Sequence, residues 1–243
     1  MRRRSTTAGV VFLILAGAVA VPARQAQPDA GRLAAREAAR ARVGALIESF
    51  KQVTPANPSL AAELRALRDD DQRFRGEGMR LWNEKGVDSP EARAVWDKQA
   101  VLDGKNQARL DEIVKRHGWP GVKLAGLPGA DAAFLIVDHA PIAFQKKYLP
   151  ALEAATGRRD AVPMWAAMLD DRVRMSEGRP QRYGTQVRKE PGWTEWRLYR
   201  IEDEAHVDDR RAAVGFEPLA EYLKDFGIVY KPPGDKGKQT VKE

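Results

Sequence analysis

Apolar residues recur at three- and four-residue spacing over most of this chain, which predicts a mainly helical fold. Residues 30–53 are rich in Ala and Arg, and Val43, Ile47 and Phe50 fall at helical spacing only in the second half, so the first half reads as a solvated lead-in. Pro55 and Pro58 then break the chain. A helix is expected over 59–85, with Leu60, Leu64, Leu67, Phe74 and Leu81 as its apolar stripe. Asp88-Ser89-Pro90-Glu91 reads as an N-cap with proline in the first turn. It opens a helix that runs to about His117 on a stripe of Ala92, Trp96, Leu110, Ile113 and Val114. Residues 118–129 form a Gly/Pro loop, and the apolar run Phe134-Leu135-Ile136-Val137 is assigned to a helix. Pro141 opens another helix to about Ala155. Asp160 to Glu177 is a further helix, with Trp165, Met168, Leu169 and Ser176 inward.

The pattern changes at Gly178, which ends the preceding helix as a C′ glycine does, and Pro180 cannot extend it. From Gln181 polar and apolar residues alternate to Val187. Pro191-Gly192 marks a turn, and Trp193 to Ile201 is a second β-prone run, so a β-hairpin is predicted over about 181–201. Glu202 to Gly215 and the stretch from Glu217-Pro218 through Phe226 return to helix. The fold class is therefore mainly α, a helical domain with one β-hairpin near the C-terminal third. The expected organisation is a lead-in at 24–57, one domain at 58–230, and a Lys/Pro/Gly-rich tail at 231–243 expected to be disordered.

Composition narrows the chemistry. The 243 residues include no Cys, which excludes disulfides, thiolate catalysis and Cys-based zinc sites. The net charge of +7 invites a nucleic-acid reading, but the charge sits at the ends. Residues 1–23 carry +3, residues 24–53 carry +3 and residues 231–243 carry +2, leaving −1 for residues 54–230. A near-neutral domain lacks the electrostatic footprint of phosphate binding, so no nucleic-acid partner is expected. Arg2, Arg3 and Arg4 precede an apolar run from Gly9 to Val21 and then Val21-Pro22-Ala23. This order predicts a signal peptide over 1–23, cleaved after Ala23, and a periplasmic or secreted protein. An uncleaved signal anchor is the alternative. The apolar run of about a dozen residues is short for a span.

Several polar side chains fall on apolar stripes, where they must satisfy one another. Asp71 lies between Leu67 and Phe74, and Gln99, Asp103, Asn106 and His117 share a face of the next helix. Arg172 falls at the centre of the inward face of the 160–177 helix. Asp71, Asp103, Asn106, His117 and Arg172 are therefore expected to meet, with Arg182, Tyr183 and Gln186 closing one side. Asp71, Asp103 and His117 are the candidate acid–base groups. Asn106, Trp119, His139, Arg172, Gln181, Arg182, Tyr183 and Gln186 are the candidate ligand-binding groups. A buried ion-pair network with Arg172 neutralising the aspartates is the plain structural alternative. The three histidines, His117, His139 and His206, form no close His/Glu pair, and there is no phosphate-binding Gly loop. No metal or cofactor is expected.

Gly178-Arg179-Pro180-Gln181-Arg182-Tyr183-Gly184-Thr185-Gln186 resembles the signature of an uncharacterised bacterial domain family, a domain of unknown function. Arg109 to Ile113 leading into His117-Gly118-Trp119-Pro120-Gly121, Asp138-His139-Ala140, and Val207 to Gly215 resemble the same family. The resemblance covers roughly residues 60–226. It implies a domain extent and candidate residues, and no activity. Three functions remain open: a binding module for a small molecule or an envelope protein, a cell-envelope hydrolase with Asp/His chemistry, and a structural envelope protein. In the last, residues 24–53 would dock to a partner or an anionic membrane surface.

Overall fold

The computed structural model describes residues 30–189 and 193–231. The expected signal peptide, the Pro191-Gly192 turn and the tail from residue 232 on lie outside the described residues. The elements are α1 (Ala30–Phe50), α2 (Pro58–Gln72), α3 (Arg75–Lys85), α4 (Pro90–His117), α5 (Val122–Asp138), α6 (Ile142–Gly157) and α7 (Pro163–Ser176). They continue with β1 (Val187–Arg188), β2 (Arg197–Leu198), a 3-10 turn (Glu204–His206), α8 (Val207–Val214) and α9 (Leu219–Lys224). The fold is mainly helical with one antiparallel hairpin, Val187 opposite Leu198 and Arg188 opposite Arg197.

The core forms where α2, α4, α5, α6 and α7 bring their stripes together. Leu64, Leu110, Leu152 and Leu169 are fully buried within it. Each such leucine contributes about 1.5–3 kcal/mol relative to an exposed one. Ser89 caps α4 by accepting from the Ala92 N–H, as the Ser-Pro pattern requires.

Five expectations are corrected, four of them by tertiary hydrogen bonds. The helix expected over 59–85 divides into α2 and α3 at Arg73–Phe74. The Phe74 N–H donates to Gln99 Oε1 of α4 at 2.9 Å. Phe74 then packs in a separate cluster with Leu81, Ala92 and Val95. The loop expected over 118–129 holds the first turn of α5, interrupted at Gly126, whose φ of 69° is left-handed. Pro128 has no N–H, so the Leu124 carbonyl lacks its intrahelical donor. The Asn57 N–H supplies one at 3.0 Å, and Ala56 does the same for Lys123 at 2.9 Å. Pro55 packs so close that a Cβ on Gly126 would lie 2.9 Å from its ring.

The helix expected from Asp160 starts instead at Pro163. Asp160 serves the start of α5, its carbonyl accepting from Val122 N–H at 2.8 Å and its carboxylate from Lys123 N–H at 2.7 Å. Ser176, expected inward, is exposed at the end of α7. Lastly, the leading half of α1 is not merely solvated. Arg36 Nε binds Asp209 of α8 at 2.6 Å, and Arg32 Nε binds the same carboxylate at 3.0 Å. Together the two arginines hold the Asp209 carboxyl down at about 2. Both lie in the 24–53 stretch, whose docking to a partner or an anionic surface is one of the three readings above, and both are engaged within the fold.

Candidate functional site

The polar residues of the α2 and α4 stripes do meet, but with different partners from those expected. Asp71 is buried to 1% exposure. It accepts from Arg75 Nη2 at 2.9 Å and from Gln72 Nε2 at 2.7 Å. Arg75 also donates to Asp103 at 2.8 Å, and Gln99 donates to the same oxygen of Asp103 at 2.7 Å. The cation between the two aspartates is thus Arg75, one helical turn from Asp71, and not Arg172. Burial pushes the Asp71 carboxyl up. The hydrogen bonds and charges of His139 and Arg75 outweigh it, so the net shift is downward.

His139, at the end of α5, places Nδ1 2.9 Å from an Asp71 oxygen. Asp71 thus holds the imidazole while the ring remains partly open to solvent. Arg172 instead serves the last turn of α5, donating to the Asp138 carbonyl at 3.1 Å with the Asp138 carboxylate 3.4 Å away. Asn106 is buried and donates to the Leu67 carbonyl of α2 at 3.0 Å.

His117 does not join this centre. It is exposed and lines a groove of about 300 Å³ between the starts of α2 and the end of α4, with Arg109, Glu63 and Glu112. Angular position put it on the Asp103 face. It is, however, 14 residues further along the helix, or about 21 Å of axial rise. Trp119, expected at a ligand, is 8% exposed and belongs to the core, its ring 6.2 Å from that of Tyr148.

The stretch expected to begin a strand, Gln181 to Gln186, is a turn wound around one buried carboxylate. Asp171 of α7 is fully buried. It accepts from the N–H groups of Arg182 at 2.6 Å, Tyr183 at 3.1 Å and Thr185 at 3.0 Å, and from the Thr185 hydroxyl at 2.9 Å. A partner strand would need those same N–H groups, which is why regular pairing starts only at Val187. Gln181 is fully buried and completes the turn, donating to Gln186 and Tyr199 carbonyls and accepting from Gln186 N–H. Gln186 donates onward to Thr185 Oγ1 at 3.0 Å. Arg211 of α8, 1% exposed, donates to the Tyr183 carbonyl at 2.8 Å and sits 5.0 Å from the Tyr222 ring. Neither Asp171 nor Arg211 was singled out from the sequence. The N–H groups of a polar Gly/Pro turn must find acceptors, and an Asp on the preceding helix was the signal available.

Beside this turn is a cleft of about 210 Å³. Glu153 and Thr156 of α6, Asp170 of α7, Arg182 and Tyr183 of the turn, and Val214 of α8 line it. One oxygen of Asp170 and the Thr156 hydroxyl are buried with no hydrogen-bond partner. Arg182 lies 3.9 Å from Asp170, beyond hydrogen-bond reach, and its guanidinium packs over the Tyr183 ring at 5.8 Å. Burial raises the Asp170 carboxyl above its ordinary value, against the lowering charges of Arg174 and Arg182. Consecutive residues of α7 thus have three uses: Asp170 lines the cleft, Asp171 winds the turn, and Arg172 holds the end of α5.

The two cavities differ in how their charges are used. In the groove at His117, Arg109 is bonded to both Glu63 and Glu112. In the cleft Arg182 and Asp170 form a longer ion pair, 3.9 Å apart, with no hydrogen bond between them. No group of three or more metal-ligating side chains occurs among the described residues, and no helix among them is long and apolar enough to cross a membrane. A family model described as a family of unknown function, DUF6624, matches residues 58–231. No curated protein and no solved structure matches the chain.

Proposed function

We propose, for a chain that belongs to the DUF6624 family of unknown function, that it is an exported domain holding a small polar ligand in the cleft beside the hairpin. The observation that carries this is the pair of buried polar atoms without partners, on Asp170 and Thr156, at a cleft whose walls also hold Arg182 and Tyr183. Buried polar groups are ordinarily bonded, and exceptions mark places where something else supplies the bond. At about 210 Å³ the cleft is smaller than the ~300–1,000 Å³ of drug-sized sites. Its ligand is correspondingly small.

A thermal-shift screen of small polar molecules against the purified chain tests the reading. A stabilising ligand is expected, and Tyr183→Ala should weaken it at least tenfold. The same change leaves the turn in place, because Tyr183 is held there through its backbone N–H and carbonyl. A full screen without a stabilising compound would sink the proposal, as would a ligand indifferent to Tyr183. Export is proposed from the charged, apolar and small-residue order of residues 1–23. N-terminal sequencing of protein from its native host should start at Arg24. An intact segment in the membrane fraction would favour an anchor.

One observation favours an enzyme as a second reading. Asp71 orients His139 through Nδ1 at 2.9 Å, the arrangement that keeps an imidazole ready to move a proton at Nε2. If the chain turns over a substrate at His139, which lies outside the cleft lining, His139→Gln should abolish that turnover. Undiminished turnover would dismiss the acid–base role.

A further inference from the structure

The hairpin is anchored at its base and exposed at its far end. Val187, Leu198 and Ile201 pack with Val207, Leu219 and Leu223 in a small core cluster. Beyond the Val187–Leu198 pair, Arg188, Lys189, Glu195, Trp196 and Arg197 are all exposed. Arg188 and Arg197 stand directly opposite each other in the register. Like charges placed so destabilise a hairpin. The Trp193 ring takes up both, its centre 4.0 Å from the Arg197 guanidinium carbon and 5.2 Å from that of Arg188. Trp196 meets Phe226 edge-on at 5.7 Å and remains 41% exposed. No other Phe, Trp or Tyr among the described residues is exposed. Charge is concentrated here as well. Residues 181–201 sum to +3, whereas the remainder of 54–230 sums to −4.

We infer that this end of the hairpin docks on the surface of a phospholipid bilayer that carries anionic headgroups. A guanidinium binds a phosphate through two parallel N–H donors, and Lys189 adds a point charge. An indole at a headgroup boundary buries its ring and keeps its N–H wet, so Trp196 is placed as the apolar anchor. Each cation near such a surface strengthens binding about fivefold. Two features favour a bilayer over an extended polyanion. A duplex lying along the domain would meet the −4 of the remainder, whereas a flat surface meets the hairpin end alone. The exposed tryptophan also finds an apolar layer only in a bilayer. No helix among the described residues is long and apolar enough to cross a membrane, so the hairpin's contact is a surface one. The proposal is independent of any ligand in the cleft, and it places the contact on the hairpin and not on residues 24–53.

The test is flotation of the intact chain with phosphatidylcholine vesicles carrying about one third phosphatidylglycerol, and with phosphatidylcholine alone. Binding is expected to be stronger to the anionic vesicles and to weaken with added salt. Arg188→Gln, Lys189→Gln and Arg197→Gln combined should weaken it roughly a hundredfold, three cations at about fivefold each. Arg188→Lys with Arg197→Lys keeps the charge and should keep most of the binding, which separates lost charge from lost fold. Brominated acyl chains should quench the fluorescence of the wild type more than that of Trp196→Phe. Arg40→Gln with Arg42→Gln, on α1, should change nothing. The apolar segment 9–21 is common to every variant, so the comparison isolates the hairpin. Equal binding to the two vesicles, wild-type binding by the triple variant, or quenching indifferent to Trp196 overturns the proposal. So does loss of binding in the lysine variant, or a DNA duplex bound as tightly as the anionic vesicles. A loss on changing Arg40 and Arg42 would move the contact to residues 24–53 and overturn it too.

Discussion

Asp171→Ala is expected to destabilise the fold by about 4 kcal/mol or more and to remove the cleft. The carboxylate is fully buried and accepts from three backbone N–H groups and one hydroxyl of the 182–185 turn. Each buried donor left unsatisfied costs about 1–3 kcal/mol, and water entering an opened turn recovers part of that. Arg211 adds to the loss, because its bond to the Tyr183 carbonyl depends on the same turn. Asp171→Asn keeps an acceptor in place and should cost about half as much. Urea melts of the two variants measure this. A loss below about 1 kcal/mol for the alanine variant would show that the turn holds its shape without its acceptor. Wherever the melt is large, ligand binding should disappear too, since Arg182 and Tyr183 are placed by the bonds that Asp171 accepts.

The second large effect is expected at Asp71. Asp71→Ala should cost about 3 kcal/mol near neutral pH, the scale for breaking a buried ion pair by removing one partner. Arg75 keeps Asp103 at 2.8 Å, which limits the loss. The pH dependence has a definite sign. The Asp71 carboxyl is held below its ordinary value of 3.8. The stability it contributes is therefore fully present above that value and is lost as pH falls through the lower folded value. The gap between wild type and variant should narrow on acidification below about pH 4. A gap that stays constant from pH 7 to pH 3 would contradict the assignment. A double-mutant cycle identifies the cation. Asp71→Ala and Arg75→Gln should couple strongly, and Asp71→Ala and Arg172→Gln should be additive. Strong coupling to Arg172 would restore the partner read from the sequence.

The polar centre was partly legible because periodicity carries angular information. Asp71 and Asn106 lie among the apolar residues of their helices, and both are buried. Periodicity carries no axial information, so His117 was placed with Asp103 although a long stretch of α4 separates them. It also does not rank cations. Arg75 lies four residues after Asp71, the spacing at which side chains of one helix meet, so that signal was available in the sequence and was not used. His139 was legible as a candidate ligand-binding residue, without a partner. Its pairing with Asp71 depends on how α2 lies along α5, which no local pattern states.

By itself the sequence determined the properties that depend on local chemistry. These are a mainly helical chain, the Ser89 cap, the left-handed Gly178, the near-neutral charge of the domain and the absence of cysteine chemistry. Tertiary structure decided every feature in which one element's hydrogen-bond demand is met by another's side chain. Gln99 ends α2, Asp160 serves α5, Asp171 turns a predicted strand into a turn, and Arg32 and Arg36 fasten α1 to α8. The physical reason is common to all four. Backbone donors, buried carboxylates and charged side chains must be satisfied wherever burial removes water. The sequence shows that such groups exist, but which of them come within 3 Å of each other is set by packing.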